Sequence, residues 1–308
     1  MILGVDIGDT EIRAGLVSES GELIRAARVP MPNSLARFGY EMRALIGPLA
    51  VAAPRGIGIG CKGLVNPQDT QVESPPGALS YLEGRYLAEF LPANLPIYCD
   101  NDARAALAGE VAWGAAHGRG NALLFTLGAS IGGAVLADGR ILRGATGVAG
   151  HLGHYTVDPL GPLCACGNTG CLETYFSARA IESEAAALVH RGAASPWAAN
   201  PKCEEVFRAA AAGDASAHWI VDRAIRCLEG AIAGLAMAFD PEIVILGGPI
   251  AAAGDVLLVP LASAVASRTR LMLRRVLPVV RSQLGDATGV IGAAALAVAP
   301  QRSSRPAG

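Results

Sequence analysis

The side chains best suited to chemistry gather in one stretch, 150-GHLGHYTVDPLGPLCACGNTGCLE-173. Three of the seven cysteines, Cys164, Cys166 and Cys171, fall within eight residues there, and His151 and His154 stand just upstream. Such a cluster can be a disulfide knot, a reactive thiol, a buried group without chemistry, or a metal site. An odd number of cysteines and a start, MILGVDIGDT, that does not read as a signal peptide speak against the knot. Zinc suits the set. Three thiolates are soft ligands, Gly167 and Gly170 let the backbone turn back, and His154 offers a fourth ligand across the DPLGP turn. The competing reading is a set of buried, unligated cysteines, although such a turn has no core in which to hide them. A closed site of this kind is structural: it shapes a loop and does not itself carry out a reaction.

A second polar group is Asp100, Asn101 and Asp102. The segment 96-PIYCDND-102 reads as a buried strand and 103-ARAALAGEVAWGAA-116 as a helix, so the three collect at a strand end. Open α/β sheets place their ligands there. Asp102 is then either a reacting carboxylate or only the N-cap of the helix that follows.

The elements that must position these groups show an internal duplication. Residues 2–29 read as strand, GDT turn, strand, SESG turn and strand. The layout recurs at 122–143, where ALLFTL, the GASIGG loop, AVLA, a DG turn and RILR follow one another. Each copy sets a small-residue loop at the end of a buried strand, and two such loops could hold phosphates through backbone N–H groups. Further on, 240-DPEIVILGGPIAAAG-254 reads as buried strand, glycine turn and helix, with Gly247 and Gly248 open to close approach. Segments 178–191, 203–212 and 216–239 read as Ala-rich helices, and the closing PQRSSRPAG as a frayed tail.

Composition sets the class. The 308 residues are long enough for two domains, and a chain 52% hydrophobic and only 17% charged describes a well-packed, loop-rich globular enzyme. A net charge of -2 gives no electrostatic reason to expect nucleic acid. The nearest approach to a membrane-spanning run is 287-ATGVIGAAALAVA-299, which is too short, so no membrane partner is expected and the location is cytoplasmic by default.

Taken together the pieces resemble the ROK family of sugar kinases and repressors, over nearly the whole chain. GHLGHYTVDPLGPLCACGNTGCLE resembles its zinc-and-sugar segment, and DIGDTEIRAG and TLGASIGGAV its two phosphate loops. CDNDARAALAGE resembles its catalytic segment and FDPEIVILGGPI its nucleotide-side turn. The resemblance implies the two-domain, actin-like (ribonuclease-H-like) ATPase fold with an interdomain cleft. Domains would run 1–102 and 103–286, with 287–308 returning to the first. It further implies ATP-dependent phosphorylation of a hexose or N-acylhexosamine at the 6-hydroxyl, with Mg²⁺, a structural Zn²⁺ and a homodimer. Asp102 matches the base. Asn101, His151, His154 and Glu173 match sugar contacts, and Asp6 matches the holder of hydrated Mg²⁺. Gly8, Asp9, Thr10, Gly128, Ala129 and Ser130 face the phosphates, and Gly247 and Gly248 the adenosine. His154, Cys164, Cys166 and Cys171 match the zinc ligands.

Three departures stand out against that resemblance. His151 replaces the glutamate common in relatives, Asp9 and Glu11 replace a glycine and a lysine, and GAS replaces GTG in the second loop. A carboxylate about 6 Å from a phosphate charge costs roughly 3 kcal/mol at an effective dielectric near 20. The expectation is therefore that Arg13 neutralises Glu11 or that Glu11 turns away, and that Asp9 makes the nucleotide site unusually dependent on Mg²⁺. A catalytically weak sugar sensor is the competing function. A DNA-binding repressor is set aside, because no helix-turn-helix precedes Asp6 and no basic patch is present.

Overall fold

The computed structural model describes residues 1–298 apart from 69, 75–76, 93, 193–196 and 198–199. The tail expected to fray, residues 300–308, lies outside the described residues. In chain order the first elements are β1 (Ile2–Ile7), β2 (Glu11–Val17), β3 (Leu23–Pro30), α1 (Leu35–Ala50) and β4 (Ile57–Cys61). A short hairpin, β5 (Leu64–Val65) and β6 (Val72–Ser74), leads to β7 (Ile97–Asn101) and α2 (Asp102–Trp113). Next come β8 (Ala122–Leu127), β9 (Ile131–Ala137), β10 (Arg140–Ile141), α3 (Glu173–Phe176), α4 (Ala178–His190), α5 (Cys203–Ala211) and α6 (Ala215–Phe239). The chain closes with β11 (Ile243–Gly247), α7 (Asp255–Leu273), β12 (Val279–Arg281) and α8 (Thr288–Ala295).

These elements form two units. Of the described residues, one unit comprises those of 1–118, 143–149 and 283–298, and the other comprises those of 119–142 and 150–282. A boundary after residue 102 would cut α2 from the strands and the last helix that it packs against, β4, β7 and α8, so α2 belongs to the first unit. The segment 143–149 joins it.

The duplication seen in the sequence is a duplication of sheets. The first sheet runs β3-β2-β1-β4-β7 and the second β10-β9-β8-β11-β12. In both, an antiparallel three-stranded meander continues into two parallel strands. Central strands such as β1 and β11 are buried along nearly their whole length, which is why they read as unbroken apolar runs. The outer β3 is mostly exposed and carries Arg25 and Arg28, charges that blunt a free sheet edge.

Helix α1 buries Phe38, Met42, Leu45, Ile46 and Leu49, one face at helical spacing, in the core beneath the first sheet. On the other side α8 lies unusually close to the strands. A Cβ on Gly4 would come within 2.0 Å of the Val290 carbonyl oxygen, and one on Gly58 within 1.8 Å of that of Ala293. Glycines therefore floor a groove that only backbone can line. In the second unit α6 buries Ile220, Ala224, Leu228, Ala231 and Leu235, and α7 packs against it.

Among the described residues helix α7, and not 287–299, comes nearest to a membrane span. It has 19 residues and a mean hydropathy of 1.4 over its most apolar window, enough by length and composition alone to cross a bilayer. Here it buries Leu257, Leu261, Val265 and Thr269, a stripe at four-residue spacing.

Candidate functional site

In the first unit the registers set three parallel strand ends side by side. Asp6 pairs with Gly60 and Gly60 with Asp100, and Ile7 likewise with Cys61 and Cys61 with Asn101. The carboxyl ends of parallel strands are where such sheets take ligands.

Asp100, Asn101 and Asp102 divide their labour there. Asp100 is fully buried, accepts from Arg104 Nε at 2.5 Å, and pairs with Arg143 at 2.7 Å. Arg104 also donates to the carbonyls of Gly147 and Ala149, so this pair anchors the 143–149 segment. Asn101, not Asp102, caps α2: its Oδ1 accepts from the N–H groups of Ala103 and Arg104 at 3.0 and 3.3 Å. Its Nδ2 donates to Gly63 O at 3.1 Å and to Asp102 Oδ1 at 2.8 Å. Asp102 is thus fixed by its neighbour and by the Ala103 amide, at 2.9 Å, and is not needed as a cap.

Asp6 lies close enough to feel Asp102. Burial first, and the charge of Asp102 second, push its carboxyl up to about 7. A Cβ on Gly289, in the first turn of α8, would come within 2.2 Å of Asp6 Oδ2, so this carboxylate needs a glycine opposite it.

The first loop is a tight turn in which Gly8 N–H donates to Glu11 O at 3.2 Å. Thr10 is exposed at its tip. Glu11 is neutralised as expected, by Arg13 Nε at 2.6 Å, with Arg28 at 3.6 Å on its other oxygen. Asp9 has a partner that sequence reasoning missed: it pairs with the Lys62 ammonium, at the end of β4. Asp9 therefore has a lysine as counter-charge.

The second unit brings the other candidates together at matching places. In the second loop Gly128 N–H donates to Ser130 O at 3.1 Å, and Gly128 O accepts from Ala178 at 2.8 Å; Ala129 is exposed. Glu173 opens α3 and accepts the Ile131 N–H at 2.9 Å, so it braces this loop. Gly247 is buried at the end of β11. Gly248 has φ +83, and a Cβ there would meet Leu127 O at 2.5 Å, which puts the turn against the second loop. His151 caps a 3₁₀ turn, Leu152–His154, whose last residue is His154.

One ligand atom from each of His154, Cys164, Cys166 and Cys171 lies within 4.8 Å of every other. Cys166 Sγ is 3.7 Å from Cys171 Sγ, and Cys164 Sγ is 3.6 Å from His154 Nδ1. Tetrahedral zinc with bonds of about 2.3 Å to sulfur and 2.0–2.1 Å to nitrogen would set these edges at about 3.8 and 3.6 Å. The four residues fit the ion.

Two such sheets, with a loop between the first two strands of each, define the actin-like ATPase fold of sugar kinases. The ROK family model matches residues 2–299, and the chain belongs to the ROK family. It is 33% identical to a glucokinase of Thermotoga maritima over 96% of either chain. It is 32% identical to an N-acetylmannosamine kinase of Escherichia coli over 80% of this chain and 82% of that one. A ROK family glucokinase from Streptomyces griseus, solved with glucose and AMPPNP, aligns with a TM-score of 0.83 at 30% identity. That alignment covers 96% of this chain and 98% of the other.

Sequence reasoning missed Lys62, Gly63, Arg104 and Arg143. A usable signal existed for the first: of 25 basic residues only Lys62 and Lys202 are lysine.

Proposed function

We propose that the chain transfers the terminal phosphoryl group of ATP to the 6-hydroxyl of a hexose or N-acylhexosamine. The observation that carries this reading is Asp102, a strand-end carboxylate held by Asn101 and the Ala103 amide and relieved of capping. In this role Asp102 accepts the proton of the 6-hydroxyl as its oxygen attacks phosphorus and ADP leaves. The glucokinase and N-acetylmannosamine kinase relatives support the same reaction class.

Asn101, His151, His154 and Glu173 serve the sugar. Gly8, Thr10, Gly128, Ala129 and Ser130 offer loop backbone to phosphates, and Gly247 and Gly248 lie against the adenosine. Asp6, with Asp102 beside it, would hold hydrated Mg²⁺; a carboxyl pushed up to about 7, first by burial and then by a second carboxylate, is one that a cation would keep ionised. When bound, Mg²⁺ spreads the charge of the phosphates. His154, Cys164, Cys166 and Cys171 would hold Zn²⁺, which shapes the loop and does no chemistry. With Nδ1 on the metal side, His154 keeps Nε2 for a sugar hydroxyl. Reduced thiols are needed for that site, which supports a cytoplasmic location, and resemblance to the family supports a homodimer.

The test is a coupled assay of ADP release across glucose, N-acetylmannosamine and N-acetylglucosamine, with Asp102→Asn as control. Sugar-dependent turnover that Asp102→Asn abolishes is the expected result. Sugar binding without turnover in the wild type would replace the kinase by a sensor.

A further inference from the structure

Resting on the kinase reading, we propose that Lys62 is a phosphate-binding residue of the nucleotide site and that Asp9 is the clasp that positions it. Lys62 follows β4 directly, and its backbone N–H donates to Ile7 O at 3.1 Å, so it sits where β1 runs into the first loop. Its ammonium pairs with Asp9, inside the Gly8–Thr10 loop; the two side chains are only 23% and 19% exposed. The same turn carries Gly63, whose backbone at φ +96 suits glycine and whose carbonyl takes the Asn101 amide that holds Asp102. One turn therefore presents a cation to the first loop and anchors the proposed base.

Charge explains why a cation is needed there. Asp6, Asp9, Glu11 and Asp102 all lie on or near this loop, where an anionic nucleotide must approach. Arg13 and Arg28 answer Glu11, and Lys62 answers Asp9. An ammonium has three N–H donors, so Lys62 can keep Asp9 on one and give another to a phosphate oxygen. The residue type is telling too. In a chain with 23 arginines and two lysines, the basic residue that pairs with Asp9 is a lysine. A compact point charge fits beside a tight turn where a planar guanidinium fork would need more room.

Two roles must be separated: merely neutralising Asp9, or touching phosphate. The neutral pair Lys62→Met with Asp9→Asn does so, because it removes both charges together. Calorimetry of ATP and of inorganic tripolyphosphate binding to the full chain is the readout, with glucose binding and thermal unfolding alongside. A lost charge-assisted contact predicts affinity for both anions about 10-fold or more below wild type in the double variant, with glucose affinity within about twofold. Lys62→Met alone should be weaker still, since Asp9 is then uncompensated. Lys62→Arg should recover part of the loss. If the double variant binds both anions as wild type does, Lys62 only neutralises Asp9 and the proposal falls. It falls too if the wild type binds neither anion. Failure of the kinase reading looks different: no sugar-dependent ADP release, yet tripolyphosphate binding that still depends on Lys62.

Discussion

The loops that follow β1 and β8 occupy the same place in two sheets of the same order, yet they are held in opposite ways. The first, DIGDTEIR, is braced by ion pairs: Asp9 with Lys62 and Glu11 with Arg13. The second, TLGASIGG, carries no charge between Thr126 and Gly133 and is braced by backbone, through Ala178 to Gly128, and by one carboxylate, Glu173, on the Ile131 amide. A shared topology thus leaves the local electrostatics open. The ion-paired loop should answer to pH and salt, while the neutral one should answer to the packing of the segment behind it. That segment is the cysteine cluster, two residues from Glu173.

The largest expected effect tests the charged side. Asp6 is raised to about 7 in the folded chain, against about 3.9 unfolded. Between those values the folded chain holds a proton that the unfolded chain has lost, so its stability falls as pH rises. Without divalent metal the loss should reach up to about 4 kcal/mol, roughly a thousandfold in the folding constant, between pH 4 and 7. Asp6→Asn should flatten this slope in thermal unfolding scans and yet lose turnover. An unchanged slope would show that Asp6 is not the titrating group.

Next in size is the zinc proposed for the neutral side. Cys166→Ser removes one of four ligands, and zinc affinity should drop by more than about 100-fold, since even outer-shell changes cost 10–100-fold. Sugar affinity should weaken with it, because the loop that carries His154 and leads into Glu173 loosens. Zinc-free protein with full sugar affinity would break the link.

Asp102→Asn should cut turnover by about 100-fold or more. The fold should stand, because Asn101 caps α2. A matching drop in thermal midpoint would return Asp102 to a structural role.

The smallest effect sharpens the contrast between the loops. Glu173→Ala leaves the Ile131 N–H without its acceptor, a loss of about 1–3 kcal/mol. It should raise the KM for ATP by about 10-fold, whereas Glu173→Gln, which keeps an acceptor, should leave it near wild type. Equal effects of both variants would mean that the negative charge, not the hydrogen bond, matters.

What the sequence determined by itself is local. Buried strands announce themselves as apolar runs, so both meanders, β7 and β11 were legible with their loops, as were α4, α5 and α6 from their lengths and alanine content. The cluster of His154, Cys164, Cys166 and Cys171 was legible because all four lie within eighteen residues and need only a turn to meet. Helix α1 was not assigned in advance, and of α7 only a helix start after Gly248 was read, where a 3₁₀ turn precedes it: Pro48 and Pro260 lie inside the two helices, where proline normally argues against a helix. Which residue caps α2 was decided by one position of φ/ψ, a choice between Asn101 and Asp102 that composition leaves open. Lys62 and Asp9 stand 53 residues apart, and Arg143 and Asp100 stand 43 apart. Only the parallel register of β1, β4 and β7 brings the first pair together, and only the return of 143–149 to the first unit brings the second. Ion pairs form where the chain has already been folded back, so their partners are set by tertiary packing and leave no periodic trace in the sequence.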